Sequence, residues 1–460
     1  MNINLKEIVI PEQSSIKDCM NAININKLGI VFICVSKKES KIIGVLTDGD
    51  IRDLILKDIK LNNSIKSIHN KDFVWFDYDS PREDILRKLD SNIKVIPLLD
   101  SDMRLVDIAT RDYLPIKNEK KTYARCKAPA RVTFGGGGSD LTHFFTKHKG
   151  AVINAAISLY CHTTLKKRSD KKIIINSIDL ENEWVIDNLD EALKIEDKDF
   201  GLFKSILNAI RPSFGFELDI YTEFPKGSGL GGSSVVSAAI IGCFNEFRDD
   251  KWDNHEIAEL AFQAERLHMN VAGGWQDQYA TVFGGFNFME FNKNKNNIHN
   301  LKVQEKTILE MEENFLLYEL PKGRTIEGDS IHKDQKDSMQ SEEVQFKVKE
   351  AVDLCYLMKD KLLRGHLKSF GKSLDTAWQL KRQFSNKISN SSIDEVYDYA
   401  IKSGAIGGKL LGAGGGGYFL FYVEPLNKYS FIKKMNERKM YPTKFSFESN
   451  GMRSWSTRIE

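Results

Sequence analysis

The chain has 460 residues, 41% of them hydrophobic, which is enough to bury substantial cores in two or three domains. Its 66 Lys and Arg side chains nearly cancel its 64 Asp and Glu side chains, so no global basic field favours nucleic acid or an anionic membrane as a partner. Six scattered cysteines without C-x-x-C spacing argue against a disulfide framework and a zinc site, and no apolar run is long enough for a signal core or a membrane helix; we therefore expect a cytoplasmic protein.

The first 116 residues contain two copies of one pattern, in which an apolar strand, a polar turn and a second strand follow each other. In the first copy the second strand runs into a helix over residues 42–52. A weaker copy covers residues 94–113, about 60 residues later in the chain. This internal duplication resembles a pair of cystathionine-β-synthase-type (CBS) domains.

The CBS resemblance implies an adenine nucleotide site at a G-x-x-T-x-x-D signature, which the first copy matches at Gly44, Thr47 and Asp50. In the second copy Val106 and Ala109 replace the glycine and the threonine, so at most one site is intact. Two interpretations stay open. The pair either senses a nucleotide through Thr47 and Asp50, or serves as a packing and homodimerisation module without a ligand.

A lysine-rich polar stretch after Pro115 is typical of a linker, which we place at residues 117–124. Beyond it, strands and helices alternate irregularly, and this favours an α+β fold. The first glycine-rich segment after the linker, residues 127–141, begins as a strand and ends in four glycines. Ser139 and Asp140 follow these glycines and form a good helix start.

The most informative stretch is the glycine-rich run 225–235, which follows a strand-like alternation and opens an apolar helix towards Phe247. A helix start leaves backbone N–H groups unpaired at the positive end of the peptide dipole, so it suits a phosphate. Ser233 and Ser234 can cap this helix or turn a hydroxyl towards a phosphate-bound metal. No Lys follows Gly232, so the Walker pattern is absent, and a purely structural turn is the alternative.

One helix further along is well marked, because Asp253 and Glu256 can form a capping box. Its apolar residues recur at helical spacing at positions 257, 260, 261, 264 and 267. Glu265 points towards this packed face and needs a partner there. Two more glycine-rich segments follow, at residues 273–286 and 407–418, and the second leads into a strand over residues 419–423.

In this order, these segments resemble the galactokinase, homoserine kinase, mevalonate kinase and phosphomevalonate kinase (GHMP) superfamily from about residue 125 onwards. Within it, residues 128–140 and 276–288 are similar to bacterial D-glycero-D-manno-heptose 7-phosphate 1-kinases. The resemblance implies a GHMP kinase fold, with a ribosomal-protein-S5-like N-terminal lobe over residues 125–300 and an α/β C-terminal lobe over residues 301–460. The CBS pair, residues 1–116, precedes it.

The resemblance also implies roles for residues. The ATP phosphates would be bound by Lys226, Gly227, Ser228, Gly229, Leu230, Gly231, Gly232, Ser233 and Ser234. Ser233 is the better match for the hydroxyl near Mg²⁺, and Ser234 is the second choice. Glu265 matches the metal-binding glutamate, although a lone helical Glu is more often part of a peripheral salt bridge.

Asp277 matches the proposed general base of the family, and Arg131 matches the basic residue beside it. A nearby cation favours the ionised form of a carboxylate. A carboxylate within hydrogen-bond reach of the attacking hydroxyl can take its proton, which contributes about 10²–10⁴-fold in rate. The alternative for Asp277 is the N-cap of a helix.

The residues implied for the substrate are Gly137, Gly138, Ser139, Asp140, Gly274, Arg324 and Lys409. Asp140 would hold sugar hydroxyls, or else cap a helix. Arg324 and Lys409 would grip a phosphate already on the substrate, or else be solvated surface cations. Trp275 would shape the sugar pocket or merely pack.

The sequence thus leads us to expect an ATP- and Mg²⁺-dependent kinase for the anomeric hydroxyl of a sugar phosphate, most plainly a heptose 7-phosphate used for a surface glycan. Two rivals remain. The acceptor could be a free fucose- or galactose-like sugar, or the chain could be a nucleotide-responsive regulator with a silent kinase fold.

Overall fold

The computed structural model describes residues 5–36, 40–89, 93–115, 123–321 and 328–457. The chain divides into two compact units, Met1–Glu119 and Lys120–Glu460. The predicted linker, residues 117–124, lies outside the described residues up to position 122, and Tyr123 and Ala124 already belong to a strand.

The first unit contains the same strand arrangement twice. Its elements are β1 Val9–Pro11, α1 Ile16–Asn26, β2 Ile30–Cys34, β3 Ile42–Thr47, α2 Asp48–Leu56, β4 Phe76–Asp77, α3 Arg82–Lys88, β5 Val95–Leu99 and β6 Leu105–Thr110. The sheet orders are β1-β2-β3 and β4-β5-β6. In each sheet the first pair of strands is parallel and the second antiparallel. The repeated topology confirms the duplication predicted from the sequence.

The two copies differ at the end that carries the nucleotide signature. In the first copy α2 begins directly after β3, with Thr47 as its N-cap. In the second copy no helix follows β6 among the residues described up to Pro115. Within the described residues, the strand-to-helix junction at which the signature residues lie is therefore present in the first copy and not in the second.

The second unit holds two sheets and the helices that pack on them. Its strands are β7 Tyr123–Gly135, β8 Gly150–Lys167, β9 Ile173–Ser177, β10 Asn182–Ile186, β11 Phe216–Thr222, β12 Phe286–Phe291, β13 Asn296–Asn300, β14 Phe315–Glu319, β15 Ala405–Leu410, β16 Tyr418–Val423, β17 Pro442–Thr443 and β18 Arg453–Thr457. Its α-helices are α4 Thr142–Phe145, α5 Leu189–Ala192, α6 Gly201–Ile210, α7 Gly232–Asn245, α8 Asn254–Phe262, α9 Gln276–Phe283, α10 Glu305–Asn314, α11 Gly328–Ser338, α12 Glu342–Leu363, α13 Leu367–Lys381, α14 Ser391–Ser403 and α15 Lys428–Glu437.

The larger sheet is organised around the long strand β8, which pairs antiparallel with β7, β11 and β12. The sheet runs in the order β10-β9-β11-β8-β12-β13, and β18 adds to the free side of β7. The C-terminal strand therefore returns to the sheet that begins the unit. The smaller sheet has the order β15-β16-β14-β17. Largely antiparallel sheets with interspersed helices agree with the predicted α+β class.

Aromatic packing joins the two sheets in one core. Phe134, near the end of β7, is fully buried and lies 6.0 Å from Phe315 of β14 and 5.2 Å from Phe370 of α13, between ring centroids. Both contacts have the edge-to-face geometry that aromatic pairs favour. Because Arg131 and the start of the four-glycine turn lie on β7 as well, this packing also fixes their position.

The helix that carries Glu265 changes its geometry just before that residue. The predicted capping box is present, with Asp253 and Glu256 bonded to each other's backbone N–H groups at the start of α8. After Phe262 the chain continues as a π-helical segment, Gln263–His268. The wider turn rotates later side chains away from the α-helical pattern, so Leu267, expected on the packed face, is 69% exposed. π-Helical turns of this kind occur frequently at functional sites.

Candidate active site

The predicted phosphate loop connects β11 to α7. Gly227, Gly229 and Gly231 have positive φ angles of 80°, 74° and 83°, a conformation that glycine adopts without strain. Gly231 is the N-cap of α7, and within the part of the chain that the structure describes no side chain caps this helix. The first N–H groups of α7 are thus arranged as in helix N-termini that bind phosphate.

The third glycine-rich segment lies directly against this loop. A Cβ atom at Gly229 would lie 2.7 Å from the carbonyl oxygen of Leu411, and one at Gly417 would lie 2.4 Å from that of Ser228. The backbone N–H of Tyr418 donates to the Ser228 carbonyl at 3.1 Å. Glycines are required at these positions because two backbones touch, and the contact fixes the loop from the side of the smaller sheet.

Two of the predicted loop residues, Ser228 and Lys226, have protein partners away from the N-terminus of α7. The Ser228 side chain is buried, and its hydroxyl accepts from the N–H of Leu230. The Lys226 ammonium is 2.9 Å from a carboxylate oxygen of Asp199, and its side chain is 73% exposed. Neither contact involves the N-terminus of α7.

Arg131 and Asp277 form a bidentate pair beside the loop. Arg131 Nε and Nη2 each donate to one carboxylate oxygen of Asp277 at 2.7 Å, and Nη1 donates to the Gly229 carbonyl at 2.6 Å. A Cβ at Gly231 would lie 3.4 Å from the Asp277 carboxylate. Asp277 is the second residue of α9, whose N-cap is Trp275, so the helix-cap alternative for Asp277 is wrong.

Asp140 lies in the same cleft and is 2% exposed. Its carboxylate accepts from the N–H groups of Gly138 at 3.0 Å and Gln276 at 3.2 Å. Burial raises the pKa of Asp140, the Asp277 carboxylate raises it further, and the two N–H groups oppose the shift. The short helix α4 begins after Leu141 without a side-chain cap, so Asp140 is not its N-cap.

Glycine is also required around Asp140. A Cβ at Gly274 would lie 1.8 Å from Asp140 Oδ2, so this position admits no side chain while Asp140 keeps its place. The Ser139 hydroxyl is fully buried, lies within hydrogen-bond distance of the carbonyls of Gly136 and Ala151 and accepts from the Ala151 N–H, which holds the four-glycine turn in shape. A Cβ at Gly137 would contact the Gln276 amide at 3.5 Å.

Glu265 is 1% exposed and has polar partners on two helices. Its Oε2 atom accepts from the Ser234 hydroxyl at 2.7 Å and from the Gln278 amide at 2.5 Å. Its Oε1 atom is buried without a hydrogen-bond partner among the described residues. The Ser233 side chain is exposed, so the structure brings Ser234, the second choice from the sequence, to Glu265.

These residues suit a magnesium ion that enters with a nucleotide. Mg²⁺ is usually held by one or two carboxylates together with substrate phosphates. The unpartnered Oε1 of Glu265 and the hydroxyl at the start of α7 are such donors. Among the described residues there is no cluster of three or more His, Cys, Asp or Glu side chains that could hold a metal ion.

Two lysines lie near the cleft. Lys409 of β15 is 2% exposed, so it is not a solvated surface cation. Lys381, which no sequence motif indicated, is 6% exposed and donates to the carbonyl of Gly412 in the third glycine-rich segment. The signal in the sequence was weak, because a lysine at the end of an amphipathic helix is ordinarily solvated. Arg324 lies outside the described residues.

Trp275 packs rather than standing free in the cleft. Its ring stacks on Phe262 with centroids 3.5 Å apart, and its indole N–H donates to the Thr142 hydroxyl at 3.0 Å. The ring therefore ties the segment before α9 to α8 and to the turn after Asp140.

In the first unit, Thr47 and Asp50 are bonded to each other. Asp50 Oδ2 accepts from the Thr47 N–H at 2.8 Å and from its hydroxyl at 2.6 Å, which forms a capping box on α2. A Cβ at Gly44 would lie 2.2 Å from the His69 ring. The signature residues thus have structural roles, and the geometry leaves their role towards a nucleotide open.

Comparisons with known proteins show which families the two units match. The model for the GHMP kinases N terminal domain matches residues 200–285, that for the GHMP kinases C terminal matches residues 358–440, and that for the CBS domain matches residues 3–57 and 65–114. In the described residues, no helix combines the length and apolarity needed to cross a bilayer.

Individual relatives cover the second unit. The D-glycero-alpha-D-manno-heptose 7-phosphate kinase of Campylobacter jejuni is 38% identical over 339 residues, which span 72% of this chain and 98% of that protein. A crystal structure of a putative sugar kinase from Campylobacter jejuni matches 74% of this chain and all of that one, with 34% identity and a TM-score of 0.61. The L-fucokinase/L-fucose-1-P guanylyltransferase of Bacteroides fragilis is 26% identical over 64% of this chain and 34% of its own length.

Proposed function

The chain belongs to the GHMP kinase family and carries CBS domains at its N-terminus, and from this premise we propose that it transfers the γ-phosphoryl group of ATP to the anomeric hydroxyl of a sugar phosphate. The acceptor is D-glycero-D-manno-heptose 7-phosphate, the substrate named for the 38% identical relative. The product would serve nucleotide-sugar biosynthesis for a surface polysaccharide.

The observation that carries the proposal is the Arg131–Asp277 pair beside the phosphate loop. Arg131 binds both oxygens of Asp277 and the Gly229 carbonyl, so it holds the carboxylate next to the place where the donor phosphates would lie. Phosphoryl transfer depends mainly on such positioning of donor and acceptor. A carboxylate in this place can accept the proton of the attacking hydroxyl.

Asp140 is suited to hold the acceptor rather than the donor. It lies near Asp277, whose carboxylate charge adds to the burial that raises the pKa of Asp140. With its oxygens turned to the N–H groups of Gly138 and Gln276, it has lone pairs left for sugar hydroxyls. Asp277 would then face the anomeric oxygen and Asp140 the hydroxyls further along the sugar.

Glu265 and Ser234 are the residues that would hold Mg²⁺. When bound, the ion neutralises charge on the donor phosphates. Gln278 and Ser234 fix the orientation of the Glu265 carboxylate through hydrogen bonds to Oε2. Oε1 has no hydrogen-bond partner among the described residues, so it is the atom that would bind the ion. Such supporting hydrogen bonds commonly set the affinity of a metal site.

For the first unit we propose an adenine nucleotide at Thr47 and Asp50 and self-association of the chain through the CBS pair. The capping box uses one oxygen of Asp50, so its second oxygen could accept from a ribose hydroxyl. A cytoplasmic location fits a kinase whose described cysteines are all buried free thiols.

The test is an ATP-consumption screen of the full chain with Mg²⁺ against phosphorylated and free sugars. Turnover with heptose 7-phosphate, and at least about 100-fold lower kcat/KM with free hexoses, is the expected result. Turnover with fucose or galactose alone would replace the proposed acceptor by a free sugar. No turnover with any sugar, together with nucleotide binding that depends on Asp50, would leave a regulatory protein.

A further inference from the structure

A lysine outside the recognised motifs lies where the donor loop meets the acceptor carboxylates. Lys381 is the last residue of α13 and donates to the carbonyl of Gly412. A Cβ at Gly412 would lie 2.4 Å from the Cα atom of Gly229, so Gly412 touches the phosphate loop directly. The ammonium group of Lys381 therefore binds a residue, Gly412, that itself contacts the phosphate loop.

The charges around Lys381 come from the site itself. Burial lowers the pKa of Lys381 to about 8, the guanidinium of Arg131 lowers it as well, and the carboxylates of Asp140 and Asp277 oppose the shift. Burial also lowers the pKa of Lys409, and Lys381 and Arg131 add to that effect. The carboxylates assigned to the base and to the acceptor thus lie near enough to Lys381 for their charges to act on its pKa.

Together these five largely buried side chains form a cluster in which cationic side chains outnumber anionic ones. Its cations are Arg131, Lys381 and Lys409, and its anions are Asp140 and Asp277. The side chain of Asp277, at 19%, is the most exposed of the five. An unbalanced buried charge is costly unless a proton is lost or an anion binds. The cluster is therefore suited to an anionic group in the cleft.

The hydrogen bonds show which cations have N–H donors left for such a group. All three nitrogens of Arg131 donate to protein oxygens, two to Asp277 and one to Gly229. Lys381 has three N–H donors, and in the described part of the chain it donates to one protein acceptor, the Gly412 carbonyl. Lys409 makes a long contact of 3.4 Å with its neighbour's carbonyl.

We infer that Lys381 is a catalytic residue whose remaining N–H groups bind the phosphoryl group while it passes from ATP to the sugar. This inference rests on the proposed kinase function. The sugar oxygen forms the new bond to phosphorus, the bond between the γ-phosphorus and the bridging oxygen breaks, ADP leaves with the electron pair, and Asp277 takes the hydroxyl proton. Lys381 stabilises the charge on the oxygens of the transferred group.

The test compares Lys381→Met and Lys381→Arg with Lys361→Met. Lys361 is a suitable control, because it is half-buried on α12 and donates to the Ser373 hydroxyl at 2.6 Å, outside the site. We expect Lys381→Met to lower kcat about 100- to 1,000-fold with KM for ATP within about threefold. Lys381→Arg should recover at least about tenfold of this loss, and Lys361→Met should retain kcat.

Two measurements separate catalysis from a structural role of Lys381 as a brace on Gly412. The kcat of the wild type should fall above about pH 8 as Lys381 loses its proton, and Lys381→Arg should move this limb to higher pH, since Arg stays protonated. ADP with aluminium fluoride and the sugar phosphate, which mimics the group in transfer, should bind at least about tenfold more weakly to Lys381→Met, with ADP alone unchanged.

The outcomes are distinct. An active wild type with Lys381→Met within about threefold of its kcat overturns the role of Lys381 and leaves the kinase function standing. Equal weakening of ADP and of ADP with aluminium fluoride assigns Lys381 to structure and overturns the inference as well. A wild type that phosphorylates no sugar removes the proposed function, and the inference with it.

Discussion

Replacement of Asp277 by Asn is the sharpest test of the proposed base, because it keeps the shape of the side chain and removes its charge. Arg131 now donates to two carboxylate oxygens at 2.7 Å. In the variant one oxygen remains, and the amide nitrogen faces a guanidinium nitrogen, so that two donors oppose each other. Arg131 is 3% exposed, and water replaces the lost acceptor poorly.

Two magnitudes follow from this geometry. Leaving one buried donor unsatisfied costs about 1–3 kcal/mol, which we expect as lower stability of the kinase unit in urea unfolding. Loss of the base should lower kcat about 10²–10⁴-fold, or about 3–5 kcal/mol in the activation barrier. ATP binding should persist, because the substitution keeps the backbone N–H groups at the start of α7 and the Ser234 and Gln278 hydrogen bonds to Glu265.

The assay measures kcat with heptose 7-phosphate, ATP affinity by calorimetry and stability in urea. Asp170→Asn is a matched control, since Arg168 Nε and Nη2 hold Asp170 with the same fork at 2.8 Å on the surface. It should leave kcat unchanged. If Asp277→Asn kept kcat within about threefold of the wild type while its urea midpoint fell, Asp277 would be a structural partner of Arg131 and not the base.

Three further predictions concern positions where the structure distinguishes neighbours. Ser234→Ala removes the hydroxyl that donates to Glu265, so the Mg²⁺ concentration for half-maximal rate should rise about tenfold. Ser233→Ala, at an exposed position, should change this concentration little. Equal effects of the two substitutions would contradict the assignment of Ser234 to the metal site. Gly274→Ala would force a Cβ to within 1.8 Å of Asp140 Oδ2, so kcat/KM for the acceptor should fall about 100-fold. Gly201→Ala, whose Cβ would meet Met269 at 3.8 Å, serves as control. An unchanged KM for the sugar would contradict the role of Asp140 in binding the acceptor. Asp50→Ala removes the acceptor of the capping box on α2 and should destabilise the first unit by about 1 kcal/mol in urea unfolding with kcat unchanged. Calorimetric titration of the full chain with AMP shows whether it also abolishes nucleotide binding.

The local elements could be predicted from the sequence because their signals lie within a few consecutive residues. The glycine-rich run after β11 indicated a strand, a tight loop and a helix start, and the structure has all three, with positive φ at Gly227, Gly229 and Gly231. The capping box at Asp253 and Glu256 is equally local and is present. The repeated pattern in the first 116 residues indicated the duplicated sheets.

Where local pattern and packing disagreed, the pattern failed. The spacing of apolar residues predicted Leu267 on the packed face, but the π-helical segment Gln263–His268 rotates it outwards. The same segment presents the Glu265 carboxylate to Ser234 and Gln278. An apolar period of 3.6 residues cannot reveal one inserted backbone step, because that step is stabilised by partners on other helices.

The sequence by itself determined which short segments can form turns, caps and strands, since these depend on backbone freedom and on side chains a few residues apart. Only the tertiary structure decided how the segments meet. Arg131 and Asp277 form an ion pair although they are 146 residues apart in the chain. Ser234, and not Ser233, donates its hydroxyl to Glu265. Lys381, at the end of a helix that carries no motif, donates to Gly412 beside the phosphate loop. Such contacts are made by the packing of two sheets around one core, and no stretch of consecutive residues encodes them.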